Sequence, residues 1–147
     1  MSETRAHEGW HRLHADGAAR GNPGPAAYGF VLDSPDGAEI AASGEAIGEA
    51  TNNVAEYRGL IAGLERALAL GVTHLETRMD SELVVRQMTG EYRVKHPGLI
   101  PLHQRAKQAT ARLGAVTFRA VRREENARAD GLVNATLDGG MGTESPR

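Results

Sequence analysis

Hydrophobic and polar residues alternate from Arg12 to Asp16 (RLHAD), the period of two that predicts a strand with one buried face. The next nine residues, GAARGNPGP, break that pattern: Gly21, Pro23, Gly24 and Pro25 predict a turn-rich loop without regular structure. Ala27 to Leu32 (AYGFVL) predicts a second strand, Ser34-Pro35-Asp36-Gly37 a turn, and Glu39 to Ala46 a third strand. Strands two and three should therefore form an antiparallel hairpin.

The period then changes. Val54, Leu60, Ile61, Leu64, Ala67 and Leu68 recur at helical spacing, with Thr51-Asn52-Asn53 supplying capping residues in front and Gly71 closing the end. This predicts a long helix to about Leu70. His74 to Met79 (HLETRM) predicts a fourth strand, Ser81 to Met88 a short helix and Gly90 to Pro97 a loop. Leu99 to Leu113 predicts another helix, Thr117 to Val121 (TFRAV) a fifth strand, and Ala127 to Leu137 a last helix. The order is β-β-β-α-β-α-α-β-α. Short turns between the first three strands imply an antiparallel half, and strands alternating with helices a parallel half. The expected fold is α/β, a mixed five-stranded sheet with helices on its faces. The expected domain is 12–137, with disordered ends at 1–11 and 138–147.

Composition narrows the chemistry. A length of 147 residues with 40% hydrophobic and 24% charged residues fits one globular domain, and no apolar run is long enough to span a membrane. The N-terminus lacks the apolar stretch of a secretory signal, so a cytoplasmic location is expected. Zero cysteines exclude disulfides, thiolate catalysis and thiolate-held metals. The net charge of −2 conceals an asymmetry: residues 1–73 carry 5 Lys+Arg against 10 Asp+Glu, residues 74–147 carry 12 against 9. Fifteen of the 17 basic residues are arginine, which suits bidentate phosphate contacts.

Four acids stand where a surface role does not require them. Asp16 closes the first predicted strand. Glu56 lies early in the long helix with Gly59, Leu60 and Gly63 on its face, a core-facing set in which two glycines imply close approach of the backbone to the sheet. Asp80 follows a strand and precedes a helix, at the carboxyl edge where open α/β sheets place their sites. Asp130 falls in the first turn of the last helix, after an arginine-rich loop. A helix macrodipole favours an acid at its N-terminus by about 0.3–1 kcal/mol, which by itself accounts for Glu56 and Asp130. Four carboxylates converging on one edge would repel, and the usual resolution is a divalent cation. Oxygen-only ligands favour magnesium, with manganese as the alternative, over zinc.

These motifs resemble the type 1 ribonuclease H family. ADGAARGNPGP (15–25) is similar to the family's first-strand motif and puts its first acid on Asp16; TNNVAEYRGLIAGLERAL (51–68) puts the second on Glu56. MDSELVVRQMTG (79–90) puts the third on Asp80, and REENARADGLVNATL (123–137) puts the fourth on Asp130, with Asn126 at the family's spacing. The resemblance spans about 12–137. It implies an endoribonuclease that cleaves the RNA strand of RNA–DNA hybrid duplexes with two Mg2+ ions held by the four acids, leaving 5′-phosphate and 3′-hydroxyl ends. Asp16 and Asp80 would hold both ions, and Glu56 would also touch a ribose 2′-hydroxyl.

Substrate contacts are expected at Gly17, at Gly21, Asn22 and Gly24, where backbone can approach the minor groove, and at Thr51, Asn52 and Asn53, where a helix N-terminus offers free amides to phosphate. Arg122, Arg123 and Asn126 join them from the loop before the last helix. No obligate protein partner is evident, and a monomer is expected.

Two features depart from the family. Many members carry a histidine six residues before the closing asparagine; here that position is Ala120, which points to the branch without it, with Arg122 or Arg123 as partial substitutes. Of the six histidines only His14, two residues before Asp16, merits a test. The basic protrusion of some bacterial members is reduced to GEYRVKHPG, so hybrid affinity should be modest and salt-dependent. A relaxed nuclease that also cuts double-stranded RNA and a non-catalytic nucleic-acid-binding module are the alternatives; the latter would ordinarily have lost an acid.

Overall fold

The computed structural model describes residues 8–139. Five strands, β1 (His11–Ala19), β2 (Gly24–Asp33), β3 (Glu39–Ala50), β4 (His74–Met79) and β5 (Ala115–Ala120), form one sheet in the order β3-β2-β1-β4-β5. β1, β2 and β3 pair antiparallel, and β4 and β5 run parallel to β1. The helices are α1 (Asn52–Ala69), α2 (Glu82–Met88), α3 (Ile100–Leu113) and α4 (Ala127–Gly139), the last entered through a 3-10 turn at Arg123–Asn126. The mixed five-stranded sheet with helices is thus present. The expected disordered ends fall mostly on residues 1–7 and 140–147, which lie outside the described residues; His11 already opens β1, and α4 continues to Gly139.

The loop expected over 17–25 is shorter than its glycines and prolines suggested. β1 runs on to Ala19 and β2 starts at Gly24, because Gly17, Ala18 and Ala19 pair with Tyr28, Ala27 and Ala26. Small side chains let the two strands continue as a hairpin. Pro25 costs no ladder bond there: it needs only its carbonyl, which accepts from Arg20 N at 2.8 Å. β3 likewise extends to Ala50, past a register shift opposite Ala26 and Ala27.

Thr51 caps α1, its Oγ1 accepting from Val54 N at 3.2 Å. Leu60, Ile61, Leu64 and Ala67 of the predicted stripe are buried with Leu13, Leu32, Leu75 and Met79 in the main core. Each such leucine contributes about 1.5–3 kcal/mol by leaving water. The expected close approach of α1 to the sheet is real. A Cβ on Gly59 would stand 2.5 Å from Asp16 O, and one on Gly17 only 2.2 Å from the carbonyl carbon and oxygen of Ala55. Glycine on both elements lets the first turns of α1 rest directly on β1.

Candidate active site

Asp16 lies inside β1 rather than at its end, paired with Gly29 of β2. It is nevertheless at an edge of a kind. The parallel pairing of β1 with β4 stops at His14 and Arg78, while the hairpin with β2 carries β1 three residues past Asp16. Two residues beyond that last parallel pair stand Asp16 and Asp80, neighbours where the sheet opens. Ser81 follows at once as the cap of α2, accepting from Val84 N at 3.3 Å.

The structure brings three of the expected acids together: one carboxylate oxygen each from Asp16, Glu56 and Asp80 lie within 4.8 Å of one another. Asp130, at the start of α4, is near enough for its carboxyl to act on that of Asp16. Asp16 is only 4% exposed. Burial first, then the charges of Asp80 and Asp130, push its pKa from 3.8 up to about 8. Glu56 is driven well above the usual range, again by burial and then by Asp16 and Asp80. The polar backbone at Gly17 favours the ionised form of both carboxyls and opposes this in part.

The donor set is all oxygen, and Glu56 Oε1 is buried without a hydrogen-bond partner. Repelling acids with an unsatisfied acceptor among them are what a hard divalent cation requires. A stability consequence follows for the cation-free protein. The folded pKa of Asp16 lies above the unfolded value, so its contribution is complete below about pH 4 and is lost as pH rises through about 8. Thermal unfolding in chelator should show Tm falling over that interval, and added divalent cation should restore it at the alkaline end. A Tm independent of pH in chelator would contradict the buried-acid description.

The expected substrate residues separate into two groups. Asn52 Oδ1 accepts from Ala19 N at 2.8 Å, and Asn22 Oδ1 accepts from Asn52 N at 3.0 Å. Both amide oxygens serve the main chain, and their NH2 groups have no partner among the described residues. Thr51 and Asn53, half-buried, stand beside them. Gly21 has φ +88° and Gly24 has room for no Cβ against Arg20 O, so both shape the hairpin turn that carries Asn22. Gly17 faces α1 rather than a ligand surface.

Asn126, expected to touch substrate, is instead buried at 1% exposure. Its Nδ2 donates to Ala15 O at 3.0 Å and to Asp80 Oδ1 at 3.3 Å, tying the third acid to the backbone beside the first. The sequence carried no sign of this, because the contact spans 111 residues of chain. Arg122 pairs with Glu124 and Glu125. Arg123 lies 3.8 Å from Asp130, and its charge also acts on Glu56. His14 is pushed down to about 4, chiefly by burial and then by Arg78 and Arg12, so it is neutral near pH 7 and too weak a base to exchange protons there.

A family model described as reverse transcriptase-like matches residues 14–136. The crystal structure of RNase H1 from the halophilic archaeon Halobacterium salinarum is 45% identical, with a TM-score of 0.85 over 88% of this chain and 98% of that one. LC11-RNase H1, isolated from compost by a metagenomic approach, was solved in complex with an RNA/DNA hybrid; it is 43% identical, with a TM-score of 0.84 over 89% of this chain and 99% of that one. The bifunctional protein Rv2228c of Mycobacterium tuberculosis is 49% identical over 127 residues, 86% of this chain. The present chain spans about a third of that protein's length, 35%. With the family model covering most of the chain and the archaeal structure matched over nearly its whole length, the protein belongs to the ribonuclease H family.

Proposed function

We propose that the protein is an endoribonuclease that hydrolyses the RNA strand of RNA–DNA hybrids. The observation that carries this reading is the convergence of Asp16, Glu56 and Asp80 within 4.8 Å, with the Asp130 charge acting on Asp16. The likeness to a structure solved with such a hybrid supports it. Asp16, Glu56, Asp80 and Asp130 would hold two Mg2+ ions, or Mn2+ in their place. When bound, such ions supply the positive charge that activates an attacking water and stabilises the departing 3′-oxygen, giving 5′-phosphate and 3′-hydroxyl products.

The chain's own residues set the geometry. Asn126 holds Asp80 against β1, and the close contact of Gly17 with the Ala55-Glu56 backbone sets Glu56 beside Asp16. Arg123 adds a cation at the rim, where the scissile phosphate enters. Glu56 faces the ribose 2′-hydroxyl, the group that distinguishes RNA from DNA. The unpartnered NH2 groups of Asn22 and Asn52 match the acceptor-rich minor groove, whose pattern varies little with sequence, so cleavage is largely sequence-independent.

Within this family we place the protein in the branch that lacks both the catalytic-loop histidine and the basic protrusion. Ala120 occupies the histidine position, and the connection from Thr89 to Leu99 contains no helix. Few cations then hold the duplex, so affinity for long hybrids is modest, and it falls as salt rises in proportion to the phosphate contacts made. We take the working form to be a cytoplasmic monomer; no helix among the described residues is long and apolar enough to cross a membrane. Asn52→Ala should raise KM for a short hybrid about tenfold with kcat nearly unchanged, as loss of binding shared by ground and transition states requires. An unchanged KM would remove Asn52 from the substrate surface.

A further inference from the structure

α1, α2 and α3 meet through a small buried polar group. Tyr57 is wholly buried, and its O–H donates to Gln87 Oε1 at 2.7 Å. Gln87 is buried too; its main-chain carbonyl accepts from His103 Nε2 at 3.2 Å, and the His103 ring meets the Tyr57 ring edge-on at 6.3 Å. Apolar side chains of similar volume would fill this space without desolvating a phenol and an amide. What the polar pair adds is direction: a hydrogen bond between side chains has one good geometry, whereas apolar packing tolerates several.

The elements it joins make that direction relevant. Tyr57 follows Glu56 on α1, so any rotation of α1 about its axis carries both through the same angle. Gln87 sits on α2, the helix that starts from the Asp80-Ser81 corner. Among the described residues, no other side-chain hydrogen bond joins α1 to α2. A rotation of about 10° at a side-chain radius of about 6 Å moves a carboxylate by about 1 Å, beyond the tolerance of roughly 0.5 Å that a metal site allows.

We infer that Tyr57 and Gln87 are positioning residues: their hydrogen bond fixes the separation of Glu56 from Asp80 and thereby the affinity of the acid cluster for divalent cations. The inference rests on the cation-holding role proposed above. Among the described residues neither side chain hydrogen-bonds an acid; they act through the helices that carry Glu56 and follow Asp80.

The test is calorimetric titration of the whole protein with Mn2+, alongside thermal unfolding. Tyr57→Phe keeps the ring and its packing, and should weaken Mn2+ binding about tenfold, the range found when groups supporting metal ligands are removed. In Tyr57→Phe/Gln87→Leu the amide no longer lacks a partner, so Tm should recover toward wild type while Mn2+ affinity stays low. Leu113→Val, a core change at the far end of α3, should lower Tm and leave Mn2+ affinity unchanged. Affinity within twofold of wild type in Tyr57→Phe, or affinity recovering together with Tm in the double variant, would overturn the inference. Wild-type protein that takes up no Mn2+ would overturn the cation reading and this inference with it; wild-type uptake with an unaffected variant overturns this inference alone.

Discussion

Asp16→Asn is expected to abolish hybrid cleavage, with kcat down about a thousandfold or more, while making the cation-free protein more stable. The two effects have one cause. Asp16 is buried between Asp80 and Asp130, close to Glu56, and in the absence of a cation its ionised form is unfavourable enough to lift its pKa to about 8. Asparagine keeps the shape, but it never carries the charge. At pH 8 in chelator the variant should be more stable than wild type by on the order of 2 kcal/mol, several degrees in Tm. In saturating divalent cation the order should reverse, because the wild type gains binding energy that the variant has lost. A variant that retained activity, or one less stable than wild type in chelator, would show that Asp16 is an ordinary structural carboxylate. Such opposition between stability and activity separates a working acid from a helix-capping one, whose removal costs stability under every condition.

The second large effect is expected at Gly17, where no reacting group is touched. Alanine there would set its Cβ 2.2 Å from the carbonyl carbon and oxygen of Ala55 and 2.5 Å from Glu56 N. Main-chain atoms in the first turns of a capped helix cannot move aside singly, so α1 must shift as a body or β1 must bend. Overpacking in a core costs about 1–3 kcal/mol when side chains can adjust. Against backbone the cost should reach about 3 kcal/mol or more in urea-induced unfolding. The residue displaced is Glu56, and a misplacement of about 1 Å at a reacting centre lowers the rate about a hundredfold. Gly17→Ala should therefore lose both stability and activity, in contrast to Asp16→Asn. A Tm within a degree or two of wild type would mean that the contact between β1 and α1 is looser than described.

Much of this was legible in the chain because local rules and global packing agree. Alternation in RLHAD, the run AYGFVL, capping at Thr51 and the closing Gly71 each specify an element without knowledge of its neighbours. Gly59 and Gly63 on the Glu56 face pointed to the sheet, since glycine inside a helix is costly unless something presses on it. The four acids were readable as odd placements, and the family resemblance put them in one site.

What failed to show has a physical reason in each case. The hairpin from β1 to β2 looked like loop because Gly and Pro usually end strands; here small residues on both strands pair across to Ala19, which local propensity cannot foresee. The 3-10 turn at Arg123–Asn126 has no period of its own. Asn126 reads as a substrate contact from the family's spacing and its place before the last helix, yet its hydrogen bonds to Ala15 and Asp80 depend on α4 folding back across the sheet. Tyr57 stands outside the apolar stripe read for α1, and nothing short of the fold reveals Gln87 as its partner. Arg122 and Arg123 are adjacent in sequence and diverge in space, one toward glutamates and one toward Asp130.

The central claim is that the acid cluster cuts RNA only when it is paired with DNA and only with a divalent cation present. End-labelled RNA–DNA hybrid, double-stranded RNA and double-stranded DNA of one sequence, each incubated in Mg2+, in Mn2+ and in chelator, test it in one experiment. The expected result is cleavage of the RNA strand of the hybrid to 5′-phosphate-ended products in either cation, little or no cutting of the other two duplexes, and none in chelator. Undiminished cleavage in chelator, or an intact hybrid in both cations, would contradict the account.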